Sequence, residues 1–146
     1  MIELIRRASD ATEAVLAQIG PTDHERTTPC PEMSVGQVAS HLVGGLRAFA
    51  LVGEGGALSF DPGLDPDPGS DDPARDFREA ADHLVAVFST HGRLDANYAM
   101  PWGPTNGAQL VGFELIETVT HGWDIARGLG VDLEVEHDVV SATLDG

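Results

Sequence analysis

A short polar strip on an otherwise apolar helix is the first feature of the sequence with the potential for chemistry. Apolar side chains occur all round the helix expected over residues 107–129, which predicts that this helix is buried. At about 100° per residue, Glu114, Glu117, His121 and Asp124 nevertheless fall within an arc of roughly 80°. Carboxylates and imidazole are costly to bury together unless their charge is compensated, and a bound cation is the simplest compensation.

Metal ligation is the chemistry that this strip predicts. Glu117 and His121 are four residues apart, so they lie one above the other on a helix and can reach a single ion. His41 is the candidate third ligand, because it lies mid-helix at the edge of the apolar stripe of an earlier predicted helix. Two imidazoles and one carboxylate are a common ligand set for zinc, and they leave one coordination position open for water or substrate. We expect zinc, with nickel as the alternative ion.

Other interpretations of these residues stay open. A Glu-x-x-x-His pair by itself is a weak signal, because surface and core pairs share that spacing. Asp124 is a fourth ligand, a partner of Arg127, or an acceptor that orients an imidazole, and we favour the orienting role. Glu114 either orients a ligand or faces solvent. The remaining histidines lie in polar or helix-end contexts and are given no role: His24, His83, His91 and His137.

Four amphipathic or apolar helices are predicted to position these side chains. Their starts carry local signals, a capping box at Ser34 and Gln37 and an N-cap acid followed by proline at Asp72 and Pro73. The predicted spans are Ile2 to Ile19, Ser34 to about Val52, Asp72 to Gly92, and Thr105 or Asn106 to about Leu129 before Gly130. Four such helices with little strand signal predict an all-α fold, specifically a four-helix bundle.

The connections between the helices are predicted from their composition. Gly53 to Asp72 holds most of the glycine, proline and aspartate clusters, which predicts a long acidic solvated loop between the second and third helices. Its part from Asp61 to Asp72 lacks the ligand spacing and terminal glutamate of a calcium loop. Arg93 to Pro104 is predicted as an irregular connection. The acidic loop and the stretch from Tyr98 to Trp102 are candidate walls of a pocket beside the metal.

The end of the chain has weaker patterning, with a brief alternation at Val131, Leu133 and Val135. A short helix through Val139, Val140 and Leu144 is expected after it.

Composition bounds the protein class. The chain has 146 residues, which fits one domain, and its formal net charge of −16 argues against nucleic-acid and membrane partners. A single cysteine, Cys30, permits no intrachain disulfide, and with no basic neighbour it is expected to be a small buried group rather than a nucleophile. With no signal-peptide pattern, a cytoplasmic location is the default expectation.

Two motifs resemble those of a known family. They are Thr-Pro-Cys-Pro-Glu-Met-Ser-Val followed by Ala-Ser-His41-Leu-Val, and Glu117-Thr-Val-Thr-His121-Gly-Trp-Asp-Ile-Ala. Over nearly the whole chain the sequence resembles the DinB-like metal-binding proteins of actinobacteria, in the branch of mycothiol-dependent maleylpyruvate isomerase. The resemblance implies a four-helix bundle in which His41, Glu117 and His121 bind a divalent metal and mycothiol is the thiol cosubstrate.

The sequence departs from that family pattern in two respects. Glu32 and Met33 stand where relatives usually show Gly-Trp, and the chain ends where relatives generally continue into a further C-terminal helix or domain. We therefore expect residues 1–146 to form a single DinB-like domain, and we do not expect maleylpyruvate itself to be the substrate.

These observations leave several functional hypotheses. The leading one is a mycothiol-dependent transferase or isomerase in which the metal activates a thiolate toward a small electrophilic substrate. A non-catalytic metal-binding or ligand-binding bundle, with which a homodimer is compatible, is the rival from another class. A metal-dependent hydrolase, which needs water in the open position, is the third.

Overall fold

Helices make up most of the fold. The computed structural model describes residues 1–59 and 67–144. Its elements are α1 (Ile2–Leu16), α2 (Val35–Gly53), α3 (Pro73–Ser89), β1 (Asn97–Met100), β2 (Gly103–Asn106), α4 (Gly107–Leu129) and α5 (His137–Leu144). The mostly helical content agrees with the predicted all-α class, with one small sheet in addition.

Local capping signals decide where the helices begin. Ser34 and Gln37 form a complete capping box at the start of α2, and Asn106 and Gln109 form a second one at the start of α4. The Asp72 side chain accepts a hydrogen bond from the backbone N–H of Arg75 at the start of α3. These hydrogen bonds satisfy backbone donors that the first helical turn leaves unpaired.

The ends of two helices fall earlier than the sequence predicts. Helix α1 ends at Leu16, not Ile19, because the chain tightens there into hydrogen bonds to carbonyls three residues back, from Gln18 to Val15 and from Ile19 to Leu16. Helix α3 ends at Ser89 because the next residue, Thr90, adopts an extended conformation. Gly130, at a φ of 75°, ends α4 as predicted.

The irregular connection expected from Arg93 to Pro104 contains a β-hairpin instead. Strands β1 and β2 pair antiparallel, with Met100 opposite Gly103 and a two-residue turn between them. Pro104 is tolerated because each strand is an edge of this two-stranded sheet. The turn residues Pro101 and Trp102 are not of the Asn-Gly type that predicts a two-residue hairpin, so the turn sequence did not indicate a hairpin here.

The directions of the four long helices follow from their contacts. Met1 lies beside Gly112, and Thr12 lies beside Gly122, so α1 and α4 run parallel. Gly53, the last residue of α2, packs against Val87 and Phe88 near the end of α3, so these two helices also run parallel. A parallel pair needs a long return connection, and residues 54–72 supply it. Residues 60–66 of the predicted acidic loop lie outside the described residues, and most of residues 67–72 are exposed.

One apolar core joins these helices. Its largest fully buried side chains come from α1 to α4: Ile5, Leu16, Leu42, Leu46, Phe77, Leu84, Phe88, Leu110, Leu115 and Ile125. Helix α5 is tied to α1 by Arg7, which pairs with Glu136 and Asp138. The alternating stretch at residues 131–136 belongs to no strand. Phe113 and Trp123 are exposed, so α4 is less completely buried than its apolar residues predict.

Helix α2 is long and apolar enough to cross a membrane by length and composition alone. However, 72% of its apolar 18-residue stretch is buried inside the fold, as expected of a core helix. The hydropathy of α2 is therefore accounted for by packing against its neighbours.

A close approach of α1 to α4 makes Gly122 sensitive to substitution. A Cβ at this position would lie 2.5 Å from Thr12 Oγ1 and 3.1 Å from Thr12 Cγ2. Thr12 is fully buried and β-branched, so its side chain has little freedom to move away. We expect Gly122→Ala to lower the free energy of unfolding by about 1–3 kcal/mol in urea denaturation.

Gly112 of the same helix is the matched control. A Cβ there would meet Met1 Cε at 3.7 Å, an ordinary contact, so Gly112→Ala is expected to stabilise by about 0.5–1 kcal/mol through helix propensity. Equal stability of the two alanine variants would contradict the close packing of α1 against α4.

Candidate metal centre

Helix α4 brings Glu117 and His121 together. The two residues lie one turn apart within a helix whose start is fixed by a capping box and whose end is fixed by Gly130. His121 Nε2 lies 3.3 Å from Glu117 Oε2. The carboxylate and the imidazole therefore point to a common place beside the helix.

Helix α2 places His41 at the same carboxylate oxygen. His41 Nε2 also lies 3.3 Å from Glu117 Oε2, across the contact between α2 and α4. The two imidazole rings are 5.2 Å apart between centroids and meet edge to face at 89°. Ligand atoms of His41, Glu117 and His121 all lie within 4.8 Å of one another, and no other group of three His, Cys, Asp or Glu residues does so in the described part of the chain.

Asp124 fixes the orientation of His121. Asp124 Oδ2 lies 2.9 Å from His121 Nδ1, and the Asp124 side chain is buried. Because an ionised carboxylate only accepts hydrogen bonds, Nδ1 carries the proton in this contact. Nε2 is then the nitrogen that faces the shared centre. Asp124 thus has the contact expected of the orienting role.

Neighbouring groups shift the pKa values of Glu117 and His121 in opposite directions. Hydrogen bonds from His121 and then His41 lower the pKa of Glu117 to about 2. The hydrogen bond to Glu117, reinforced by Asp124, raises the pKa of His121 against the opposing effect of its burial. Positive charge beside this carboxylate can come from a second proton on His121 or from a bound cation.

Glu114 is buried one turn from the shared carboxylate, so the alternative that it faces solvent is wrong. Its side chain is 2% exposed, and its Oε2 has no hydrogen-bond partner among residues 1–59 and 67–144. Burial, with a smaller contribution from the charge of Glu117, raises the pKa of Glu114 to about 8. The carboxyl group lies beside Gly45, where a Cβ would be 3.4 Å from Oε1.

The centre is open on one side. The side chains of His41 and Glu117 are each 46% exposed, whereas His121 is 14% exposed. An ion at this point would be held from the inner side by His121 and would stay accessible to a small molecule from solvent. The open coordination position expected of a three-ligand site is therefore compatible with this geometry.

The remaining histidines and the cysteine, to which the sequence assigned no role, lie away from this centre. His24 Nδ1 contacts the carbonyl of Pro68 at 2.9 Å, and His83 Nε2 contacts Glu54 at 2.9 Å. His91 and His137 are exposed. Cys30 was expected to be a small buried group, but it is only half-buried, because it lies in a bend between exposed residues.

The contact between Gly45 and Glu114 beneath the candidate centre was not predicted from the sequence. Gly45 follows His41 by one turn of α2, and the carboxyl group of Glu114 on α4 packs beside it, at a distance that would be an ordinary contact for an added Cβ. The adjacent glycines at positions 44 and 45, unusual inside an apolar helix, were the signal that would have indicated close approach of another element.

Comparison with known proteins gives a family match over most of the chain. The model of the family described as "Mycothiol maleylpyruvate isomerase N-terminal domain" matches residues 5–126. Two relatives from Mycobacterium tuberculosis are each 28% identical over 140 residues, covering 92% of this chain and 70% of the relative. They are "Uncharacterized protein MT0763" of strain CDC 1551 / Oshkosh and "Uncharacterized protein Rv0738" of strain ATCC 25618 / H37Rv. No solved structure matches the chain significantly.

The buried carboxyl group of Glu114 is expected to make the free energy of unfolding depend on pH. The folded protein holds this proton up to about pH 8, whereas the unfolded chain releases it near pH 4.5. The folded state therefore binds more protons in this window, and stability falls as pH rises through it. Relative to Glu114→Gln, chelator-treated wild type is expected to lose on the order of 3 kcal/mol of unfolding free energy from pH 5 to pH 8.

Glu25→Gln, at an exposed glutamate, is the control and should follow the wild-type curve. Urea unfolding at several pH values measures all three proteins. Parallel curves for Glu114→Gln and wild type would show that Glu114 is ionised in the folded state at neutral pH.

Proposed function

This chain belongs to the family of mycothiol maleylpyruvate isomerase N-terminal domains, and on that premise we propose that it is a metal-dependent, thiol-using transferase or isomerase. His41, Glu117 and His121 are the proposed ligands of a divalent cation, zinc in the first place and nickel as the alternative. The observation that carries the proposal is the convergence of these three ligand atoms from two helices to within 4.8 Å.

The donor set supports a zinc-type ion over a hard cation. Two imidazole nitrogens and one carboxylate oxygen suit zinc, whereas calcium and magnesium prefer oxygen ligands throughout. Asp124 supplies the carboxylate contact to the remote imidazole nitrogen that zinc-binding histidines commonly have. The 46% exposure of His41 and Glu117 leaves access for a further ligand.

The proposed cosubstrate is a low-molecular-weight thiol, mycothiol by family. When bound, a zinc-type ion supplies positive charge that lowers the pKa of a coordinated thiol, so the thiolate is available at neutral pH. His41 and Glu117 lie on the solvent-exposed side of the centre, where the thiol would enter. Asp124 keeps His121 in the tautomer that leaves Nε2 free to bind the ion.

The remaining parts of the proposal concern architecture and context. The four long helices form a DinB-like four-helix bundle, with α1 and α4 parallel and the return connection after α2. Residues 1–146 act as one domain, in the cytoplasm, on a small-molecule substrate. The parallel packing of α1 on α4 and of α2 on α3 supports the bundle.

Metal binding is the first test of the proposal. Wild-type protein is expected to bind one zinc ion per chain by calorimetry, and His121→Ala is expected to lose at least about 100-fold in affinity. Asp124→Asn should weaken binding by about 10–100-fold, since it removes the orienting contact to His121. Affinity should fall as pH falls, because protons compete with the metal for His121, whose pKa is raised by its contacts with Glu117 and Asp124.

His83→Ala is the matched control for the metal test. His83 is an exposed histidine that also contacts a glutamate, at 2.9 Å, but has no second histidine. Its replacement should leave zinc affinity and stoichiometry unchanged. Equal zinc binding by wild type and His121→Ala would exclude the proposed centre.

Thiol-dependent turnover is the second test. Zinc-loaded protein with mycothiol is expected to accelerate conjugation of small electrophiles, and His121→Ala should reduce the rate to the uncatalysed level. His83→Ala should keep the wild-type rate. Stoichiometric zinc without any thiol-dependent rate would favour a non-catalytic metal-binding protein, and activity without added thiol would favour a hydrolase.

A further inference from the structure

Two exposed aromatic side chains meet near the start of α4, and one of them lies one helical turn before Glu117. Trp102, in the turn of the β-hairpin, is 54% exposed, and Phe113, in the second turn of α4, is 41% exposed. Their ring centroids are 6.2 Å apart and the rings meet edge to face at 76°. We call Trp102 and Phe113 the aromatic pair. Exposed aromatic surface of this kind is typical of a binding site.

Trp102 is held in place although it is exposed. Its indole N–H donates a hydrogen bond to Thr105 Oγ1 at 3.0 Å, and the Thr105 hydroxyl donates in turn to the carbonyl of Gly103 at 3.1 Å. Thr105 itself is buried. The indole ring is therefore fixed before any ligand arrives, which reduces the entropy lost on binding.

Phe113 connects the aromatic pair to the centre. It precedes Glu117 by four residues, so the two side chains are neighbours along one stripe of α4, about 6 Å apart along the axis. His121 continues the same stripe by one further turn. A small molecule in contact with the aromatic pair is thus within one or two helical turns of the proposed metal.

The surroundings of the aromatic pair favour an uncharged ligand. No residue from 97 to 113 carries a charged side chain. A charged group would therefore find no side chain of opposite charge on the hairpin or on the first two turns of α4, and covering an unpaired charge with two aromatic rings is unfavourable.

We propose that the aromatic pair is the subsite for the electrophilic substrate, and that it takes a flat, uncharged, unsaturated or aromatic group. Stacking against Phe113 and Trp102 would hold such a group beside the open side of the centre, within reach of a metal-bound thiol. This inference rests on the proposed function and adds the substrate class to it. It involves binding only, so it is measurable without turnover.

Tryptophan fluorescence can test the subsite, because the chain has only two tryptophans. In Trp123→Phe, the remaining Trp102 should report binding of 2,4-dinitroaniline, a flat, uncharged nitroaromatic, as saturable quenching. In Trp102→Phe, the remaining Trp123 is the control reporter. It is 49% exposed, similar to Trp102, and it lies on α4 about 120° round the helix from Glu117. It should show only linear, collisional quenching.

Removing the ring of Phe113 should weaken binding of the probe. Phe113→Leu in the Trp123→Phe background is expected to raise the dissociation constant by about 5–10-fold, since an aromatic contact is replaced by an aliphatic one. Benzenesulfonate, a flat anion, should bind about tenfold more weakly than 2,4-dinitroaniline or not at all. If Phe113→Leu lowers the melting temperature, the same probe is titrated into Trp102→Leu by calorimetry. Weaker binding than in wild type is expected, and equal binding would contradict the subsite.

The outcomes separate this inference from the proposed function. Probe binding that persists in His121→Ala, where metal binding is lost, is expected, because the aromatic pair does not depend on the metal. Linear quenching of Trp102, or unchanged affinity in Phe113→Leu, would overturn the subsite while leaving the metal centre intact. Self-association of wild type that both aromatic substitutions abolish would show instead that the pair is an interface between two copies of the chain.

Discussion

One carboxylate oxygen that faces two imidazoles is the contact around which the site is built. Glu117 Oε2 lies 3.3 Å from Nε2 of both His41 and His121, so this oxygen joins α2 to α4. With its Nδ1–H directed at Asp124, a neutral His121 presents Nε2 to Glu117 as an acceptor, so this contact requires a proton on Nε2 or a cation between the two groups. His41, in contrast, can donate from Nε2 while neutral. A proton on imidazole meets that need in acid, and a divalent cation would meet it at higher pH.

Packing on two sides of α4 decides where its polar strip points. On one side Gly122 lets Thr12 of α1 approach closely, and on the other the carboxyl group of Glu114 packs beside Gly45 of α2. A helix in close contact with two neighbours cannot rotate without a clash. The direction of the polar strip is therefore constrained by packing contacts at Gly122 and Glu114, outside the three candidate ligands.

Much of the fold follows from local signals in the sequence, and the rest depends on tertiary contacts. The starts of α2, α3 and α4 were predictable because Ser34, Asp72 and Asn106 act on adjacent backbone groups. Periodicity placed Glu117 and His121 on one face of a helix. The approach of His41 instead depends on the relative direction of α2 and α4, which periodicity does not encode. The burial of Glu114 and the exposure of Phe113 were not predictable, because a helix with apolar residues all round does not show which faces meet neighbours.

Two glutamates three residues apart on α4 have pKa values shifted in opposite directions, and this difference connects the candidate metal centre to the buried side of the helix. Hydrogen bonds from imidazoles keep Glu117 ionised, with its pKa lowered to about 2, whereas burial raises the pKa of Glu114 to about 8. The strip therefore carries one fewer negative charge at neutral pH than its residues imply, which lowers the cost of burying it. A cation near Glu117 would favour the ionised form of Glu114 as well. Metal binding and release of the Glu114 proton are then linked, and each favours the other.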